Sequence, residues 1–246
     1  GLGSLYRPID DWQPMVEWQW DDSSGSAGVD HPPIVSPLID TNGDGLVNEL
    51  DIPVVIVGTA TGNVLQESRL VALRGDTGEV IFSVGGQFFQ GQTPAVGDLD
   101  GDGIPEVVVV NSLRSTISAF NNDGSLRWEV DEVTGRFGQQ PQLTLADLNG
   151  DGTSEILFNT AIYNFDGSVR TVVPTNRLHP PAGFSSQIVV DLDLDGDMEI
   201  VSSASASDAD GNLLWQWTNG RFSFAGTVPI TGRLDGGETI EMLDVP

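Results

Sequence analysis

The chain has 246 residues, 39% of them hydrophobic, no cysteine, and ten basic against thirty-six acidic side chains, for a formal charge of -26. The lack of cysteine excludes disulfides, thiolate zinc sites and a cysteine nucleophile, and the acidic excess argues against nucleic acid or an anionic membrane surface as partner and for a cation. The apolar share is that of a globular chain able to bury a core, and no apolar run approaches the roughly 18 to 20 residues a membrane helix needs.

The N-terminus, "GLGSLYRPIDDW", has neither Met nor a basic-then-apolar leader, as expected of a mature piece or a part of something longer. "QPMVEWQWDD" from Gln13 resembles the later strand "GNLLWQWTNG" from Gly211. It is expected to be a seam strand near residues 14–20 within an N-terminal segment, 1–32. Trp18 and Trp20 then fall on one side of the strand and read as its buried face. The competing reading is sugar stacking by Trp12, Trp18 and Trp20 among Asp10, Asp11, Glu17, Asp21 and Asp22.

From residue 33 one unit is written five times: "PIVSPLIDTNGDGLVNELDIPVVIVG" from Pro33, "TPAVGDLDGDGIPEVVVVN" from Thr93, "QLTLADLNGDGTSEILFN" from Gln142, "SQIVVDLDLDGDMEIVSS" from Ser186 and "TVPITGRLDGGETIEMLD" from Thr227. The acidic motifs open at Asp40, Asp98, Asp147, Asp191 and, degenerately, Arg233, in steps of 58, 49, 44 and 42 residues. That is the period of a four-stranded blade. After each motif an apolar strand leads to a hairpin turn of Asp and Gly chemistry at Asp76, Asn122, Asp166 and Asp210, with alternating residues on both sides. The expected fold is all-β, a propeller of four-stranded antiparallel blades starting near 33, 92, 141, 185 and 225. Four are complete and the fifth is divided between the termini. Either the N-terminal strand closes that fifth blade, or further blades lie outside this chain. Phe88, Phe137 and Phe222 recur ten or eleven residues ahead of a motif and read as wedges between units, with a ligand groove as the alternative.

Calcium takes about six to eight oxygen ligands, and oxygens at alternate positions around a glycine turn can wrap it. In "DLDGDGIPE" Asp98, Asp100 and Asp102 hold positions 1, 3 and 5, Gly103 permits the turn, the Ile104 carbonyl stands at position 7 and Glu106 closes the site. Without an ion, carboxylates this close repel one another. Asp147, Asn149, Asp151, the Thr153 carbonyl and Glu155 form a second full set. Asp191, Asp193, Asp195, the Asp197 carbonyl and Glu199 form a third. The first copy supplies Asp40, Asn42, Asp44, the Leu46 carbonyl and Asn48, with Asp51 at position 12, an EF-hand-like spacing closed by Asp51 or in part by Asn48. "PVVIVG" after Asp51 is strand-like, so the helices of a true EF-hand are not expected. In the fifth copy Arg233 and Gly237 replace two aspartates, and no calcium is expected there; the Arg233 guanidinium is a candidate to occupy the ion's place. About four Ca²⁺ ions are therefore expected.

Apolar strand, DxDxDGxxE or DxNxDGxxE, apolar strand at this period resembles the FG-GAP or VCBS repeats of β-propellers, among them the integrin α-subunit head and many bacterial secreted proteins. The resemblance covers roughly residues 33 to 246. It implies calcium loops that join the first and second strands of each blade on one face. The dockerin-like first loop, the degenerate fifth loop and a blade count below the family's usual seven depart from it, and the chain is a candidate part of a larger, seven-bladed propeller.

His31 and His179 both sit in His-Pro-Pro loops and read as stiff turns rather than positioned bases, and no nucleophile elbow, HExxH or phosphate-loop pattern occurs. The leading expectation is a non-enzymatic, calcium-stabilised module of a secreted or cell-surface protein for adhesion, scaffolding or ligand binding, its partner a protein or a carbohydrate. Millimolar calcium outside cells would fill even weak loops. The alternatives are a polysaccharide lyase-like propeller, which would need a basic residue or a carboxylate pair in its central funnel, and a structural subunit that assembles by strand addition through its divided blade.

Overall fold

The computed structural model describes residues 15–21, 28–29, 32–61, 64–85, 93–111, 115–133, 143–172, 187–192, 194–201, 205–216, 230–232 and 241–243. Phe88, Phe137, Phe222, His31, His179, Arg233, Gly237, Asp193, Trp12 and the acidic residues 10, 11 and 22 lie outside them. Among the described residues there is no helix, and the strands form antiparallel sheets.

In the first sheet β1 (Gly28–Val29) and β2 (Ile34–Ser36) share one edge of β3 (Val54–Thr61), which continues to β4 (Val64–Arg74) and β5 (Val80–Gly85). This sheet has five strands where four were expected, because the long β3 leaves its far end open beyond β2 and Gly28 pairs there with Ala60. The second sheet runs β6 (Ala95–Gly97), β7 (Glu106–Asn111), β8 (Thr116–Phe120), β9 (Leu126–Asp131). The third runs β10 (Thr144–Ala146), β11 (Glu155–Phe158), β12 (Ala161–Tyr163), β13 (Val169–Val172). The fourth runs β14 (Ile188–Val190), β15 (Glu199–Val201), β16 (Ser205–Ser207), β17 (Leu213–Gln216). Each of these three is a four-stranded meander. A hairpin of β18 (Ile230–Gly232) and β19 (Glu241–Leu243) follows.

The sheets stack face to face, as propeller blades do. Successive side chains of a strand point to opposite faces, and the valine run of β7 uses both. Val107 and Val109 pack with Leu38, Ile56, Leu70 and Phe82 of the first sheet, while Val108 and Val110 pack with Ile156, Phe158 and Tyr163 of the third. Leu148, Leu157 and Ile162 then meet Ile200 of the fourth sheet. A strand apolar on both faces is what a central layer requires.

One contact recurs from sheet to sheet. An aromatic on the fourth strand lies over the glycine of the next sheet's last hairpin: Phe82 on Gly124 and Trp128 on Gly167, where an added Cβ would stand 2.6 and 2.9 Å from the ring. Residues 15–21 belong to no strand, yet Trp18 covers Gly78 of the first sheet in the same way, at 2.5 Å. Its indole N–H donates to the Gly75 carbonyl at 2.8 Å, as that of Trp128 donates to the Phe165 carbonyl at 3.0 Å. Trp18 and Trp20 close the outer apolar face formed by Val57, Val71 and Leu73.

Candidate metal centres

The four acidic loops connect β2 to β3, β6 to β7, β10 to β11 and β14 to β15. They share one hydrogen-bond plan. The first aspartate accepts from the position-6 glycine N–H in every loop: Asp40 from Gly45, Asp98 from Gly103, Asp147 from Gly152 and Asp191 from Gly196, at 2.8 to 3.1 Å. The position-5 aspartate accepts from the position-7 N–H: Asp44 from Leu46, Asp102 from Ile104, Asp151 from Thr153 and Asp195 from Asp197. Leu46 and Ile104 leave their side chains in solvent, so at position 7 the loop uses the backbone and not the residue type. The side chains of Asn42 and Asn149 at position 3 each accept from the N–H of the following position-5 aspartate.

The closing acid is buried in all four loops, at 5% exposure or less for Asp51, Glu106, Glu155 and Glu199. Each accepts the N–H of position 2: Thr41, Leu99, Leu148 and Leu192 respectively, at 2.6 to 3.0 Å. Asp51 thus does in the first loop, from position 12, what glutamate does from position 9 elsewhere. Its second oxygen takes the Asn48 N–H at 2.9 Å, while the Asn48 side chain turns away to accept from the Leu50 N–H.

The loops also touch each other. The Ser154 N–H donates to the Leu99 carbonyl at 2.9 Å, its hydroxyl to the Asp98 carbonyl at 2.8 Å, and the Met198 N–H to the Leu148 carbonyl at 3.3 Å. Position 4 of the second loop, Gly101, lies so close that a Cβ there would stand 2.5 Å from the Gly152 carbonyl oxygen. The second, third and fourth loops therefore form one continuous strip on a single face.

Oxygens of Asp98, Asp100 and Glu106 lie within 4.8 Å of one another. Among the described residues no other loop brings three carboxylates that close. Burial pushes the Glu106 carboxyl up, against the Leu99 N–H and Arg127, which pull it down. Asp51 is instead held low, first by the Asn48 and then by the Thr41 N–H, and Asp151 is held low by the Thr153 hydroxyl and N–H. One oxygen each of Asp100 and Asp191 is buried without a hydrogen-bond partner. Hard oxygen donors, two of them orphaned, around glycine turns match the donor set of a calcium ion.

Two arginines were not anticipated as parts of these loops. Arg127 on β9 donates to Asp100 and, at 2.9 Å, to Glu106. Arg170 on β13 pairs with Glu155 at 2.9 Å and Asp210 at 3.1 Å. The available signal is that both stand three residues after a hairpin glycine, Gly124 and Gly167, in adjacent repeats.

Residues 70–158 match the model of the FG-GAP-like repeat. No curated protein sequence matches the chain. Among solved structures, the V. cholerae biofilm matrix protein Bap1 is similar over 94% of this chain and 38% of its own length, with 27% identity and a TM-score of 0.76. The exotype rhamnogalacturonan lyase YesX, at 19% identity and a TM-score of 0.58, and the Bacillus licheniformis rhamnogalacturonan lyase PL11, at 18% and 0.60, share the fold over 82% and 85% of this chain. The chain spans 38%, 42% and 43% of the length of these three proteins. The chain is all-β with propeller-like blades, and no helix among its described residues is long and apolar enough to cross a membrane.

Proposed function

We propose that this FG-GAP-like chain is a non-enzymatic module of an extracellular protein, stabilised by calcium and serving adhesion or scaffolding in a matrix or at a cell surface. The observation that carries the reading is the convergence of Asp98, Asp100 and Glu106 oxygens within 4.8 Å, in a loop whose hydrogen-bond plan recurs in three others. In the second loop Asp98, Asp100, Asp102, Glu106 and the Ile104 carbonyl would hold the ion. Their equivalents are Asp147, Asn149, Asp151, Glu155 and the Thr153 carbonyl in the third loop. In the fourth they are Asp191, Asp193, Asp195, Glu199 and the Asp197 carbonyl, and in the first Asp40, Asn42, Asp44, Asp51 and the Leu46 carbonyl. Calcium would supply positive charge to buried carboxylates and tie the first strand of each blade to the second.

Likeness to a biofilm matrix protein, and the millimolar calcium available outside cells, support the extracellular placement. The lyase alternative rests on fold alone, and protein or carbohydrate remains the partner class. Thermal unfolding with calcium and with EDTA tests the reading. Each well-filled site is expected to add about 1 to 3 kcal/mol. A melting temperature indifferent to EDTA would overturn it, and eliminative cleavage of any member of a polysaccharide panel would replace it with the enzyme.

A further inference from the structure

The fourth strands of the four sheets can be aligned by their pairing with the third. Phe82, Trp128, Thr171 and Trp215 stand opposite Ala72, Ala119, Ile162 and Ala206, just before a register shift that all four sheets share. The residue before each is then equivalent: Ile81, Arg127, Arg170 and Leu214. Two sheets present an apolar side chain at this place and two an arginine.

Arg127 is the one whose guanidinium enters a metal loop on two sides. It reaches across β8 to Glu106 at the start of β7 and also donates to Asp100, within the loop itself. Glu106 is 2% exposed, and its other oxygen accepts the Leu99 N–H, so both of its oxygens are taken by donors of the protein. Arg170 holds only Glu155 in its loop and spends its other arm on Asp210 of the next sheet's hairpin. The loop with the doubly bonded arginine is the one whose three carboxylates converge.

We propose that Arg127 is a built-in counter-cation of the second loop, holding Asp100 and Glu106 together without an ion and competing with calcium for them. The inference rests on the calcium reading of the loops given above. A guanidinium offers the same two carboxylates the positive charge that an ion would, but it repels the ion once both are present. The second loop therefore keeps its shape in the absence of calcium and binds the ion more weakly than it would without the arginine. The first and fourth loops, with Ile81 and Leu214 at the equivalent place, have no such stand-in from their fourth strand.

Arg127→Gln in the full chain, compared with the unchanged protein by melting in EDTA and in millimolar calcium and by calorimetric titration with calcium, separates the outcomes. The variant is expected to melt lower in EDTA, to recover most of the difference in calcium, and to bind at one site about tenfold tighter, a step of about 1.4 kcal/mol. Leu214→Arg, at a half-exposed position that accepts the longer side chain, is expected to weaken one site. Should Arg127→Gln fail to fold in EDTA, Arg127→Lys, which keeps a charge and loses the fork, is expected to give intermediate shifts of the same sign. An equal loss for Arg127→Gln in EDTA and in calcium would reduce Arg127 to a structural ion pair, and weaker binding would make it a support for the ion. Either result overturns the inference while a calcium response of the unchanged protein leaves the calcium reading standing. No response in the unchanged protein removes both.

Discussion

Gly101→Ala tests whether the loops behave as one strip. Gly101 and Gly150 occupy the same position in the second and third loops, at φ of 77° and 70°, but only Gly101 faces a neighbouring loop. An alanine in this left-handed conformation costs about 1 to 2 kcal/mol, partly offset by about 0.4 to 1 kcal/mol from a less flexible unfolded chain. Gly150→Ala, with open space around its Cβ, should therefore cost about 1 kcal/mol. At Gly101 the new methyl would also stand 2.5 Å from the Gly152 carbonyl oxygen, so one loop must move away from the other. That movement strains the Ser154 N–H to Leu99 and hydroxyl to Asp98 bonds, at 2.9 and 2.8 Å, each worth about 1 kcal/mol. The expected total is about 3 kcal/mol, read by urea unfolding in EDTA. Equal losses in the two variants, within about 0.5 kcal/mol, would mean that the loop-to-loop contact contributes nothing to stability.

The fourth loop offers the reverse change, since Leu194 sits at the same position with φ of 65° and its side chain half exposed. Leu194→Gly should raise stability by about 0.5 to 1 kcal/mol in urea unfolding, and a loss would refute the strain. Tyr163, buried, with its oxygen accepting the Val133 N–H at 3.2 Å, has a phenol pushed up by desolvation from 10.0 to about 12. Because the folded value is the higher one, its share of stability is intact below pH 10 and is lost as pH rises towards about 12. The loss should come to about 2 to 3 kcal/mol. The chain has no lysine to titrate in that range and one other tyrosine, Tyr6, so Tyr163→Phe should remove the share of the dependence that belongs to the buried phenol in alkaline unfolding curves. A variant that loses stability with pH as steeply as the unchanged protein would refute the assignment.

The loops could be read from sequence because they depend on residue type at fixed spacing: an acid at positions 1 and 5, a glycine at 6. The four valines from Val107 could be read as a buried strand for a similar reason. Their division between two cores could not, since it depends on which sheets are neighbours. Spacing left Asp51 and Asn48 as rival closing residues, and the buried Asp51 carboxylate, bonded to the Thr41 and Asn48 N–H groups, takes the place of the glutamate. Arg127 was invisible for a different reason. It stands 21 residues from Glu106 and meets it only because a meander returns the fourth strand past the start of the second. The two-residue β1 has no alternation to recognise, and the placement of Trp18 over Gly78 required the fold itself.

The aromatic that covers a neighbour's hairpin glycine has a consequence for how such a chain can grow. The first and second sheets each present a ring on the leading side and a bare glycine on the trailing side, whereas the third keeps the glycine and has Thr171 in the ring's place. A duplicated copy carries both halves of that fitting, so it can be spliced between existing copies without inventing a new surface. Residues 15–21, which belong to no strand, present the same ring through Trp18. Packing of sheet on sheet and docking of the Trp18 segment thus draw on one and the same plug and socket.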